Sequence, residues 1–294
     1  MKQISSMFLR NVTCIDHAFV TDAGFIEGGS YHQEIVVTGE IDEHEQVVVD
    51  FSAVKKQIKS IIDDKEKGFD HKLWIIKGYS DCQVNDLENG YVRVVTPHHI
   101  LVAPRNALKI IDGYSKYHSS PKDAVEFQMQ QEIQDGLNEA NNVDFIRVEL
   151  RLTKEVFGST PVTFTYFHGL KNSSSWGCNN IAHGHTSFVE VYDDLGKRIP
   201  EVEKLIAYYI DGAMMIFKDN LETPNKIAYE TPRGRFSLAF TDKVKTIVMD
   251  KETTIENIVE HVCAQLKPVL DYHAVSRVHI SEGLQKGAVK QILR

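Results

Sequence analysis

The stretch "WGCNNIAHGHTS", residues 176–187, sets one cysteine, two asparagines and two histidines among glycines. It leads into the alternating run "SFVEVY". On a strand, side chains two apart share a face and stand roughly 6.5–7 Å apart along the chain. His183 and His185 have that spacing and can bind one ion between them. A third ligand must come from another segment. His168, in "TYFHGL" on the preceding strand, converges with them if the two strands pair as a hairpin. Three imidazoles leave a fourth position open, as catalytic zinc requires, and neutral imidazole suits zinc. The competing reading is a pair of solvent-facing strand histidines. Cys178 adds a thiol in histidine-rich company. The other cysteines, Cys14, Cys82 and Cys263, are scattered with no CxxC pair, which argues against a disulfide framework or a Cys-only zinc site. Cys263 lies in an apolar helical stretch and reads as core.

These groups need strands and helices to hold them. "NVTCIDHAFV" and "SYHQEIVVTGEI" read as strands, and Ile35 and Val37 share one face of the second. In "VDFSAVKKQIKSIIDD", Val54, Ile58, Ile61 and Ile62 follow helical spacing, with Asp50 or Ser52 as cap. "GYVRVVT" and "HHILVAPRNALKII" form a strand pair. Val125, Met129, Ile133 and Leu137, four apart, predict a helix in "SPKDAVEFQMQQEIQDGL", before the strand "FIRVELRLT". A second series follows in the same order: strands at "VTFTYFHGL" and "HTSFVEVYDD", helix at "PEVEKLIAYYI", strands at "KIAYE", "RFSLAF" and "VKTIVM", helix at "TTIENIVEHVCAQLKPVL", strand at "SRVHISEG". The order predicts an α+β chain of two like units, 1–157 and 158–294, joined near "TKEVFGSTP" where Gly158 and Pro161 break the pattern. The repeat is one of element order; matched letters are few.

The chain has 294 residues, 42% hydrophobic and 25% charged, with a formal net charge of -8. That balance is ordinary for a globular protein and argues against a broad nucleic-acid face. It leaves room for a local basic pocket. No apolar run approaches the ~20 residues of a membrane span, and the start lacks the apolar stretch of a secretory signal, so a soluble cytoplasmic protein is expected.

"CNNIAHGHTSFVEV" resembles the signature of the 6-pyruvoyl-tetrahydropterin synthase and 6-carboxy-tetrahydropterin synthase family, in which a cysteine precedes an HGH strand and an earlier histidine completes a zinc site. "VVVDFSAVKKQIKSII" with "FDHKLWI", "TTIENIVEHVCAQL" and "SRVHISEGLQKGAV" resemble further family stretches. The resemblance implies two tandem T-fold domains, antiparallel sheets with helices on one face, whose units join into an oligomeric barrel. It implies a homo-oligomer, a trimer of two-unit chains or a dimer. Family marks divide between the halves. The first holds Asp70-His71, but has "GSY", residues 29–31, at the HGH place, and keeps His17 without its partners. The second holds His168, Cys178, His183, His185, Thr254, Glu256 and Glu282, but has Asp211-Gly212 where the Asp-His pair belongs. One site built from both halves, within a chain or between chains, fits that division.

The implied substrate is 7,8-dihydroneopterin triphosphate, a small molecule; no nucleic acid or membrane partner is implied. Cys178 as thiolate is the implied base, His71 oriented by Asp70 the proton shuttle, Glu282 the anchor of the pterin edge, and Thr254 and Glu256 the rest of the pocket. Zn2+ on His168, His183 and His185 is the implied cofactor. A plain helix cap with a first-turn acid is the competing reading of Thr254 and Glu256. Four residues separate Cys178 from His183; carboxy-type members commonly show three and pyruvoyl-type members five. The product, 6-carboxytetrahydropterin with acetaldehyde or 6-pyruvoyl-tetrahydropterin, therefore stays open, with the carboxy product and queuosine-type pathways favoured on general grounds. Two other readings are a non-catalytic pterin or purine binder on the same scaffold, and a cofactor-free tandem oxidase of the urate oxidase kind.

Overall fold

The computed structural model describes residues 3–44, 46–112, 114, 120–141, 146–154 and 161–293. The expected join at 157/158 lies outside the described residues. The fold is α+β, with three six-stranded sheets and helices packed on two of them. The first sheet runs Ile4–Arg10, Ile26–Glu40, Ile15–Val20, Lys72–Ile76, Leu108–Ile111, and Ile146–Thr153 also pairs with Ile26–Glu40. The second runs Thr246–Met249, Ala213–Phe217, Val162–His168, His183–Asp193, Val275–Glu282, Lys286–Gln291. Both are mixed: Lys72–Ile76 and Ala213–Phe217 pair with their neighbours in parallel.

The helices follow their apolar spacing. In Phe51–Ile62, Val54, Ile58 and Ile62 are buried and Asp50 caps the N-terminus by accepting from Ala53 N–H. In Pro121–Asn141, Val125, Met129, Ile133 and Leu137 are all buried against the first sheet. Pro200–Ile210 and Ile255–Gln265 cover the second sheet in the same way.

The third sheet joins distant parts of the chain. Gly234–Phe240 pairs antiparallel with His99–Pro104, setting Ser237 opposite Val102 and Phe240 opposite His99. A third hydrophobic cluster draws on both series, with Ala18, Leu73 and Leu101 packed among Phe167, Met214 and Phe236.

A close approach of two strands positions the site. A Cβ on Gly28 would lie 1.9 Å from Tyr166 O, and one on Gly184 would lie 2.5 Å from Gly28 Cα. Only residues without a side chain permit that approach. Beside it, Ser30 N–H donates to Thr186 Oγ1 (3.1 Å) and Thr186 N–H donates to Ser30 Oγ (3.0 Å). This reciprocal pair locks residues that are 156 apart in sequence.

Candidate active site

Val162–His168 and His183–Asp193 form an antiparallel ladder in which His168 faces His183 and Tyr166 faces His185. The three histidines are fully buried, and one ring nitrogen from each lies within 4.8 Å of the others. Each ring is held from behind. His168 Nδ1 meets Thr253 Oγ1 at 3.1 Å, and His183 Nδ1 meets Asn180 O at 2.8 Å. His185 Nδ1 lies 3.2 Å from Asp16 Oδ1. The Nε2 atoms of His168 and His185 face each other at 3.1 Å, and His183 Nε2 is buried without a hydrogen-bond partner among the described residues. A tetrahedral zinc with bonds of about 2.0–2.1 Å needs nitrogens roughly 3.3 Å apart, so the cage fits such an ion. Burial and the neighbouring imidazoles hold His168 well below the usual histidine range. Burial likewise lowers His183. Neutral rings are the form that binds metal.

Cys178 sits on the turn Gly177–Asn179, just before this ladder. Its Sγ is 3.6 Å from His71 Nε2, and His71 Nδ1 is 2.6 Å from Asp70 Oδ2. Cys178, His71 and Asp70 thus form a chain of contacts within one polypeptide. Cys178, His71 and His183 also lie close enough to make a second potential metal group. Burial would raise the thiol, but the proximity of His183 and His71 outweighs it and brings Cys178 down to about 4. Burial would lower His71, yet Asp70 and Cys178 hold it well above the usual range. The pair is a thiolate beside an imidazolium.

The backbone here is strained and tightly held. His71 has φ 54°, a left-handed conformation that costs an L-residue about 1–2 kcal/mol. His71 N–H donates to Asp16 O (2.6 Å), and Asn180 Nδ2 donates to His71 O (3.1 Å). The two asparagines of "CNN" therefore act as fasteners. Asn180 also donates to Ala107 O, and Asn179 donates to Leu170 O and Ser173 O. Tyr229 OH donates to Asn179 O.

Asp16 is the residue that sequence reasoning missed. Its carboxylate meets His185 and accepts from Ser30 Oγ (2.5 Å), its N–H donates to Asp70 Oδ1 (2.9 Å), and its carbonyl accepts from His71. Burial opposes its charge, but His185 and His71 win and keep it ionised. It ties the histidine cage to the Cys–His–Asp chain. Carboxylates behind metal-bound histidines fix the ring and raise its basicity. Asp16→Asn is expected to weaken zinc retention by about 10- to 100-fold, read by competition with a chromophoric chelator.

Glu282 ends the strand Val275–Glu282 and bonds Lys286 at 3.1 Å. Burial would raise its carboxyl, but His185 and Lys286 hold it low, so it lies in the same electrostatic field as the cage. Thr254 accepts from Asn257 N–H as the cap of Ile255–Gln265, and Glu256 is exposed in the first turn. The hydroxyl that reaches the histidines is that of Thr253, one residue earlier. In the first ladder His17 faces Gly29, where His168 faces His183. His17 stacks on Trp74 with ring centres 3.6 Å apart, and a Cβ on Gly29 would lie 2.6 Å from its ring. The position is filled by an aromatic stack in place of an imidazole cage.

No family model and no curated protein matches the chain. Among solved structures it is similar to 6-pyruvoyltetrahydropterin synthase from Plasmodium vivax, at 16% identity and a TM-score of 0.36, over 51% of this chain and 96% of that one. It is similar to the Plasmodium falciparum 6-pyruvoyl tetrahydropterin synthase at 12% identity and a TM-score of 0.38, over 51% and 95%. A likeness of this size is no evidence of shared activity. Among the described residues no helix is long and apolar enough to cross a membrane.

Proposed function

We propose that the chain is a zinc-dependent lyase acting on 7,8-dihydroneopterin triphosphate. The observation that carries the reading is the Cys178 sulfur, 3.6 Å from an imidazole held by a carboxylate, beside three converging histidines. Zinc held by His168, His183 and His185 would supply Lewis-acid stabilisation of negative charge on side-chain oxygens of the substrate. Glu282 accepts two N–H bonds from the amidine-like edge of the pterin. Cys178 takes a proton from a side-chain carbon of the substrate. His71, oriented by Asp70, relays protons between the thiol and the substrate oxygens, and triphosphate leaves. Thr254 caps a helix and Glu256 faces solvent, the arrangement of a plain cap with a first-turn acid; completing the pterin pocket is the other reading of the two. Elimination alone gives 6-pyruvoyl-tetrahydropterin; addition of one water with cleavage of the two-carbon end as acetaldehyde gives 6-carboxytetrahydropterin, the product we favour.

In this reading the two series of elements are tandem T-fold units, and the chain assembles with copies of itself. The edge strand Ile4–Arg10, which exposes Ile4 and Phe8, supports that assembly. The test is incubation of the zinc-loaded chain with dihydroneopterin triphosphate, with pterin products identified by mass and acetaldehyde assayed separately. Retention of the pterin with no new mass would favour the non-catalytic binder.

A further inference from the structure

A cavity of about 220 Å³ opens between the first sheet and the start of the helix Pro121–Asn141. Its walls include His17, Phe19, Tyr31, Trp74, Tyr79 and Val125. It shares no residue with the histidine cage or with the chain of Cys178, His71 and Asp70. Three neighbouring strands supply three of its rings: His17 from Ile15–Val20, Tyr31 from Ile26–Glu40 and Trp74 from Lys72–Ile76. These rings lie nearly parallel. His17 stacks on Trp74 with 3.6 Å between centres and 10° between planes, and on Tyr31 with 5.3 Å and 12°. Parallel rings beside an open volume present their faces and edges in one orientation, which a flat π system matches and a saturated ring does not.

The polar groups narrow the ligand further. His17 is 2% exposed, and its Nδ1 is buried with no hydrogen-bond partner among the described residues. Leaving such an atom unpaired is costly, and the edge of a ligand would satisfy it. Burial, and after it the charge of Lys154, lowers His17 to about 3, so the ring is neutral at physiological pH. Burial and the nearby Glu126 push Tyr31 up to about 12, so its hydroxyl keeps its proton to donate. The cations at the rim are engaged. Lys122 pairs with Glu126 and donates to Leu152 O, and Lys154 Nζ lies over the Tyr31 ring at 5.2 Å. Nothing in this set selects a charged ligand. It matches an uncharged flat ring with hydrogen-bonding nitrogens on its edge. The volume lies below the ~300 Å³ at which pockets for drug-sized ligands begin, so one or two fused rings fill it.

We propose that this cavity is a second small-molecule site, separate from the histidine cage, that takes a flat, uncharged nitrogen heterocycle of purine size through its parallel rings and His17 Nδ1. The site does not depend on the lyase chemistry proposed above. It belongs to the first series of elements, where an aromatic stack stands in place of imidazoles.

The test uses the full chain carrying Trp176→Phe, which leaves Trp74 as its one tryptophan. Adenine is titrated while Trp74 emission is followed, with cyclohexanecarboxamide as a saturated control of similar size. A saturable one-site change is expected with adenine, at a dissociation constant of about 0.1–1 mM, the range open to a ligand of about ten heavy atoms. The control should give none. In the same background, His17→Phe keeps an aromatic ring and removes the nitrogen, and should weaken adenine binding about tenfold. Tyr31→Phe removes one donor and should weaken it by a few-fold. Val125→Phe fills the cavity from the helix side and should abolish it. Circular dichroism identifies the variants that fold, and where His17→Phe or Val125→Phe does not, Tyr31→Phe carries the test. No saturable change with adenine, an equal change with the control, or an adenine affinity unaltered in every folded variant overturns the site.

Discussion

Cys178→Ala is expected to lower turnover of dihydroneopterin triphosphate by about 10³-fold or more, within the range lost with a positioned general base or acid. The basis is its place in the contact chain. The thiol is the group that His71 and His183 hold ionised, and no other cysteine can replace it. Burial pushes Cys14 and Cys263 up to about 12 and Cys82 up to about 11, so all three stay as thiols. Zinc content should be unchanged, because the cage of His168, His183 and His185 does not use the sulfur. Serine at the same position tests the chemistry separately. It keeps the shape, but its hydroxyl stays protonated at neutral pH, and the variant should be almost as slow as alanine. Steady-state rates with metal analysis on the same samples check both points. A Cys178→Ala protein with full activity would remove the assigned base.

The second large effect concerns metal. His168→Ala should leave a chain that holds no stoichiometric zinc after gel filtration, and turnover should fall to background. Loss of a partner behind a ligand already costs about 10- to 100-fold in affinity, and loss of the ligand itself should exceed that. The substitution also frees Thr253 Oγ1 and removes the ring that His185 Nε2 faces. Elemental analysis gives the readout, and a circular dichroism spectrum like that of the parent shows that folding is not the cause. Zinc retained at one ion per chain would place the metal elsewhere, the group of His71, Cys178 and His183 being the alternative.

How much of this could be read from the letters depends on the range of each signal. Helical spacing at Val125, Met129, Ile133 and Leu137 is local and periodic, and those side chains are the buried face of Pro121–Asn141. The Asp50 cap is also a local signal. Convergence of His168, His183 and His185 follows from a two-residue strand spacing and one hairpin. Asp16 is different. Its meeting with His185 depends on the crossing at Gly28 and Gly184, between segments with no sequence relation to each other. The union of Gly234–Phe240 with His99–Pro104 is likewise long-range and carries no motif. Thr253 and Thr254 are adjacent, and the sequence does not say which hydroxyl caps the helix and which turns inward. The backbone angles that separate them are set by packing.

The central claim is that an imidazole from the first series of elements, His71, acts with His183 on a thiol in the second. It is tested most directly, and without any substrate, by the pH dependence of Cys178 alkylation with iodoacetamide, followed by peptide mass in the parent and in His71→Ala. In the parent the rate should fall only as pH approaches about 4, where the thiolate takes up its proton. In His71→Ala the midpoint should move up toward the ordinary thiol value of about 8.5. A midpoint near that ordinary value in the parent, or one that His71→Ala leaves unmoved, would contradict the account.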